Sequence, residues 1–204
     1  MKNNLNIRKP SRKEVERYLR LWNTLENYTL QESSLEKLFT KTYPLNNNLD
    51  DVLIKVCSLN DFYSTNIFSP FTVAKHIILL NIDGNFAKDD LEIVNKIAEV
   101  EMKGGKTKNF YSFATKYCSH HKPLIYPIYD SYVDKMLMRL KEKDKFSNFS
   151  RQDLRLYQLF KKILIDFRKF YGLEQFNLKQ IDQYLWQAGK KYFPKNYGKS
   201  SNEN

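Results

Sequence analysis

Ser112 to Leu137 reads SFATKYCSHHKPLIYPIYDSYVDKML, a stretch that changes character twice. Phe113, Ala114, Tyr117 and Cys118, following Phe110, recur at the spacing of one helix face. Pro123 and Pro127 then bracket an extended piece, because proline fixes its own φ and pushes the residue before it out of the helical region. Val133, Met136, Leu137 and Leu140 resume the helical period, so Asp130 stands where a loop becomes a helix. Aspartate caps helix N-termini well, so the plain reading of Asp130 is a cap; a carboxylate with chemistry to do is the other reading, and the two are compatible.

The rest of the chain follows the same helical rule. Val15, Tyr18, Leu19, Trp22 and Leu25 form an apolar stripe behind a capping box of Ser11 and Glu14. A second helix is expected over SSLEKLFTKTY, ending before Pro44, and a third carries Val52, Val56, Leu59 and Tyr63 on one face. Ser69-Pro70 reads as an N-cap with proline at the first helical position, Asp83-Gly84 as a turn, and Asp89 or Asp90 as the start of a helix that breaks at Gly104-Gly105. Leu156, Leu159, Phe160, Ile163, Leu164 and Phe167 make a long apolar stripe, and Asn177 with Gln180 caps a last helix through Ile181, Leu185 and Trp186. A short strand over Leu124 to Tyr126 is the one departure from helix that the pattern allows. The expected fold is therefore all-α, one domain over residues 1–193 or two packed lobes with a cleft, followed by a flexible tail over 194–204.

With 204 residues and 42% hydrophobic content, such a chain can bury a core of its own. Its 34 Lys and Arg against 23 Asp and Glu leave a net charge of +11, which points to a polyanionic partner, nucleic acid first. No apolar run approaches the ~20 residues that span a bilayer, and MKNNLNIRKPSRKE lacks the apolar segment of a secretion signal, so the expected location is cytoplasmic, away from any membrane. Cys57 and Cys118 are isolated within apolar helical patterns and read as small core residues. His120 and His121 are helix neighbours pointing about 100° apart, poor co-ligands for a metal, and are assigned instead to the surface or to DNA. Gly104-Gly105-Lys106-Thr107 lacks the spacing of a phosphate-binding loop; no metal and no cofactor is expected.

Ser112 and Asp130 are eighteen residues apart, and Asp130 lies in Pro127-Ile128-Tyr129-Asp130-Ser131-Tyr132-Val133. This resembles the helix-hairpin-helix DNA glycosylase superfamily. Its bifunctional members have a lysine eighteen residues before the catalytic aspartate; its monofunctional adenine-DNA glycosylases have a serine there, and a Pro-Ile-Leu-Asp-x-x-Val pattern around the aspartate. Upstream, LNDFYSTNIFSPFTVAKHI is similar to the helix that approaches DNA in these enzymes. The resemblance spans roughly residues 50–140 and departs in two ways: KTKNFYS replaces the Gly-x-Gly turn before the serine, with the glycines displaced upstream to Gly104 and Gly105, and the four-cysteine iron–sulfur motif is missing.

The resemblance implies a bundle of about eight to ten helices. It also implies a DNA N-glycosylase of the monofunctional type, in which Asp130 stabilises the oxocarbenium-like transition state of base excision. Ser112 would stand in support. The family's acidic residue aligns with Leu59, so its role would pass to Asp61; Asn60 is the other polar candidate on that helix. Tyr63, Asn66, Tyr126, Tyr129 and Tyr132 are the candidates to line a pocket for a flipped base, although Phe62, Tyr63 and Tyr117 at helical spacing read first as packing residues. Lys103, Lys106, Lys108, Lys116, His120, His121 and Lys122 would contact the backbone of double-stranded DNA, and Lys106, Lys108 and Lys116 leave a lyase step open. The expected form is a monomer. The rival readings are a non-catalytic DNA-binding or adaptor module, whose sign would be the displaced glycines, and a helical protein-interaction domain.

Overall fold

The computed structural model describes residues 7–194; the tail expected to be flexible falls, past Pro194, outside them. The fold is all-α, 65% helix and 3% strand. Ten α-helices are present among the described residues: α1 Arg12–Trp22, α2 Glu26–Lys37, α3 Leu49–Tyr63, α4 Pro70–Leu80, α5 Asp83–Ala87, α6 Glu92–Ala98, α7 Tyr111–His121, α8 Ser131–Asp144, α9 Tyr157–Phe170 and α10 Leu178–Tyr192.

Local side-chain chemistry starts several of them. Ser11 Oγ accepts from Glu14 N at the head of α1, Asn48 Oδ1 from Asp50 N at 2.8 Å at the head of α3, and Asn177 with Gln180 forms a reciprocal capping box on α10. These groups answer amides that the first helical turn leaves unpaired. Pro70 is the first residue of α4, where its missing N–H costs nothing; Ser69 makes no capping bond and instead pairs its hydroxyl with Thr72 Oγ1 at 2.8 Å.

Several expectations need correction. The second helix begins at Glu26, well before SSLEKL, and continues through a π-helical turn, Leu38–Thr42. Asp83-Gly84 opens the short helix α5 rather than a turn. Residues 124–126 form no strand; amides of Ile125 and Tyr126 both donate to Lys122 O and wrap the chain into a turn. The strands lie elsewhere: β1 Glu99–Glu101 pairs antiparallel with β2 Thr107–Asn109, Val100 opposite Lys108. Gly104 and Gly105 make that hairpin possible by adopting φ of 89° and 75°, which residues with a Cβ rarely tolerate. Cys118 is buried as expected, but Cys57 is exposed.

α10 holds the bundle together at one end, packing against α1 and α8, while α3 lies on α4 and α6 on α7. α7 is the central helix, with nine of its eleven residues buried. Burying most of a helix surface leaves no polar face for it, which is why Lys116, Ser119 and His120 are taken inside with Phe113 and Tyr117. No described helix is long and apolar enough to cross a membrane.

Candidate functional site

The loop before α8 is tied down at three points. Thr115 Oγ1 accepts from Tyr129 N at 3.1 Å, Ser112 Oγ donates to Tyr129 O at 3.2 Å, and Tyr157 Oη donates to Pro127 O at 2.9 Å. The loop therefore delivers Asp130 rigidly to the head of α8. There Oδ1 accepts from the amides of Tyr132 and Val133 at 2.8 and 2.9 Å, so the capping reading of Asp130 is right. Both bonds fall on the same oxygen. Oδ2 makes no hydrogen bond among the described residues, and the half-buried side chain lines a cleft of about 500 Å³.

The cleft is walled by Trp22 of α1, Tyr28 and Glu32 of α2, Tyr63 at the end of α3 with residues 64–66 after it, Ser112 and Lys116 of α7, residues 128–132 at the head of α8, Arg155 before α9, and Lys179, Asp182, Gln183, Trp186 and Lys190 of α10. The α10 residues recur at one helix face. Trp186 meets Tyr28 edge-on at 5.0 Å between ring centroids and Trp22 at 5.7 Å. Lys190 Nζ donates to Tyr28 Oη at 2.7 Å and lies 4.6 Å from the Trp186 ring centroid, so this aromatic end of the cleft carries a cation. Glu32 is fully engaged: one oxygen is 2.6 Å from Lys179 Nζ, and the other accepts from Trp22 Nε1 at 3.1 Å and Gln183 Nε2 at 3.3 Å.

Two ionisable groups on the inner walls are unusual. Lys116 is 4% exposed; its ammonium donates to Ser112 Oγ at 2.6 Å and Ser112 O at 3.2 Å, touches Tyr129 O at 3.5 Å and lies 5.2 Å from the Tyr63 ring centroid. Burial lowers its pKa, and the charges of Asp130 and Asp182 only partly offset this. Asp182 is 7% exposed, yet among the described residues it makes no hydrogen bond and no ion pair. Burial raises its pKa to about 7 against the opposing charge of Lys179, and Asp130 pushes it in the same direction as burial. Asp182 thus holds a proton under conditions where carboxyls have normally lost theirs.

Of the residues singled out in the sequence, the cleft gathers Asp130, Ser112, Tyr63, Asn66, Tyr129 and Tyr132, together with Lys116. Others are placed elsewhere. Asp61 is exposed, and neither it nor Asn60 lines the cleft. The Asn60 side chain instead accepts from Thr65 Oγ1 at 2.7 Å and Ile67 N at 2.9 Å, holding a loop in which Ser64 and Asn66 take φ of 47° and 59°. Tyr126 is not a pocket residue: its ring is fully buried, with its hydroxyl on Asp90 O at 3.0 Å. Tyr129 lines the cleft but is almost wholly buried, its hydroxyl donating to Asp134 Oδ2 at 2.8 Å.

The DNA-backbone candidates divide. Lys103, Lys106 and Lys108 are exposed on the β-hairpin, outside the cleft walls. Lys122 is paired with Asp89 at 2.5 Å. Lys116 faces inward. His120 and His121 are not surface cations: His120 Nε2 pairs with Tyr63 Oη at 3.0 Å, His121 Nε2 with Asn46 Oδ1 at 3.1 Å. Burial lowers His120 to about 3 and His121 well below its ordinary value, so both rings are neutral near pH 7.

Sequence reasoning missed Trp22, Tyr28, Glu32, Arg155 and the α10 wall. A signal existed there: Lys179, Asp182, Gln183 and Lys190 form a polar stripe beside Trp186, on a helix whose other face is apolar. No group of three or more His, Cys, Asp or Glu side chains placed to hold a metal occurs among the described residues.

No solved structure matches the chain. A family model described as the HI_0787_N N-terminal domain matches residues 14–125, a span that includes Tyr63, Ser112 and Lys116 and stops short of Asp130. A protein of Haemophilus influenzae described as uncharacterized is 49% identical over 148 residues, 72% of this chain and 70% of that protein. With more than half of its length under the family model, the chain belongs to the HI_0787_N family.

Proposed function

We propose that this protein binds double-stranded DNA and excises a damaged, mismatched or modified base, as a monofunctional DNA N-glycosylase of the helix-hairpin-helix kind. The observation that carries the reading is the placement of Asp130: one oxygen is tied into the α8 cap, the other makes no hydrogen bond among the described residues, and the side chain lines a cleft walled by aromatic rings. A base inside a duplex has to be flipped out before its glycosidic bond is reachable, at a few kcal/mol, and aromatic walls receive it by stacking. As the bond breaks the deoxyribose turns cationic, and a fixed carboxylate beside it is worth ~3 kcal/mol in comparable electrostatic sites. The +11 net charge supplies the attraction to a polyanion, and action on DNA goes with a cytoplasmic location and a monomeric form.

Lys116 reaches the same cleft one helical turn beyond Ser112, yet its three N–H donors are directed at three oxygens. An amine tied to three oxygens is not free to attack the sugar, which favours hydrolysis over a Schiff-base lyase step. Borohydride should then trap no cross-link between the protein and cleaved duplex.

The test is to incubate the protein with duplexes that each carry one of an assortment of modified or mismatched bases, then treat with alkali and look for strand breaks. Base release by wild type, lost in Asp130→Asn, is expected. Salt-sensitive binding with no release from any duplex would instead favour the non-catalytic DNA-binding module, and absence of binding the protein-interaction domain.

A further inference from the structure

Asp182 has no role in the account above, although it stands in the same cleft. It comes from α10, on the helix face that also presents Trp186. It is more than nine-tenths buried, yet no described protein group satisfies its carboxyl. Its oxygens are not among the fully sealed side-chain atoms that lack a partner, so the carboxyl meets the cleft rather than the core. The charged and titratable groups around it are Lys179 on its own helix, Glu32 of α2, Tyr63 of α3, Lys116 of α7, Asp130 and Tyr157 of α9. Lys179 and Glu32 are occupied with each other, and Lys116 with Ser112 and Tyr129. The free hydrogen-bonding capacity of Asp182 is therefore available to whatever enters the cleft.

Resting on the glycosylase reading, we propose that Asp182 is the proton donor to the departing base, with Asp130 as the charged partner on the sugar side. Two carboxyls in one cleft can divide the labour when their surroundings differ: Asp130 sits among amide donors at a helix head, Asp182 among rings and helix side chains. In the reaction the C1′–N bond breaks with its electron pair going to the base, and the Asp182 proton moves to a ring nitrogen or carbonyl oxygen of that base. A water oxygen then bonds to C1′ and its proton passes to the Asp130 carboxylate. Solvent afterwards removes that proton and returns one to Asp182. Water is the only co-reactant.

The experiment measures single-turnover release from pH 5 to 9 on whichever duplex of the panel wild type processes, comparing wild type, Asp182→Asn, Asp182→Glu and Asp130→Asn. Thermal melts show whether each variant is folded. Wild type is expected to slow as pH rises through about 7, where burial places Asp182. Asp182→Asn should be at least ~100-fold slower near pH 6 and lack that descending limb, and Asp182→Glu should restore it. Release by folded Asp182→Asn at the wild-type rate, or with the wild-type pH profile, overturns the assignment while leaving the glycosylase reading intact, provided Asp130→Asn is inactive. Release by wild type from no duplex at all overturns both.

Discussion

Gly189 of α10 lies directly against Tyr132 of α8: a Cβ built at position 189 would stand 2.6 Å from Tyr132 Cβ and 2.9 Å from its carbonyl oxygen. No rotation of a side chain relieves such contacts, because both atoms belong to or adjoin the backbone. This close approach sets how near the Asp182 helix comes to the head of α8 and thus to Asp130. In an ordinary helix interior, glycine to alanine gains up to ~1 kcal/mol. Here Gly189→Ala is expected to destabilise by ~2 kcal/mol, since the helices have to separate, as overpacked cores do. Urea unfolding measures it, and a gain in stability would contradict the contact.

Asp130 combines a cap with the proposed chemistry, and the two can be separated. Asparagine caps as well as aspartate, so Asp130→Asn should unfold within ~0.5 kcal/mol of wild type, while Asp130→Ala loses ~1 kcal/mol. Base release should fall ~100-fold or more in both. Equal melting of the three proteins would remove the cap from the account.

The hairpin lysines offer a direct reading of DNA attraction. Lys103, Lys106 and Lys108 are exposed, so replacing all three with glutamate should leave unfolding unchanged within ~0.5 kcal/mol. Duplex binding should weaken, with the slope of log affinity against log salt shallower by ~2 to 3. An unchanged slope would place the phosphates on another face.

Stability should depend on pH through groups of opposite sign. His120 titrates at about 3 when folded against 6.5 ordinarily, so as pH falls below ~6.5 the unfolded chain gains a proton that the native protein refuses, and stability is lost; His121 acts in the same direction. Asp182 titrates at about 7 when folded against 3.8 ordinarily, so the native protein holds its proton longer, and stability is lost as pH rises from ~4 to ~7. Asp182→Asn removes only the second contribution. Between pH 4 and 6.5 its stability should climb with pH more steeply than that of wild type, by up to ~1.4 kcal/mol per pH unit. Parallel curves from urea titrations would show that Asp182 does not titrate as its burial implies.

Away from the cleft, Asn46 Oδ1 accepts from Lys55 Nζ and Tyr117 Oη, each at 2.6 Å, and from His121, while the Asn46 amides donate to Asp83. Lys55 is fully buried, with its other two donors on Tyr43 O and Leu45 O, and burial lowers it to about 8. Removing the shared acceptor strands a buried ammonium, so Asn46→Ala should cost ~3 kcal/mol. Lys55→Met removes the charge itself, and adding it to Asn46→Ala should recover part of that loss. Strict additivity in the double variant would mean the groups are independent.

Several helix starts were legible because a short-range bond makes them: Ser11, Asp130 and Asn177 are caps, a side chain two or three residues from an orphan amide reaching it in any context, whereas the Asn48 cap of α3 went unread. The helical period likewise gave the apolar stripes of α1, α9 and α10. Position in the bundle was not legible. His120 and His121 were assigned to the surface or to DNA because helix neighbours make poor metal co-ligands, but α7 runs through the centre and is buried nearly all round. The β-hairpin was hidden because its strands have three residues each, too few for an alternating pattern to stand out.

From its residues alone this chain could be read as a basic, all-helical protein with an aspartate at the start of a helix behind two prolines, since propensity, capping and net charge depend on nearby sequence and composition. Which carboxylate would meet Asp130, and which rings would wall the cleft, was decided only when α10 folded back onto α1 and α8. Asp182 lies fifty-two residues from Asp130 along the chain. Side-chain burial and charge coupling act through space, so no local pattern around either residue records that they face one cleft.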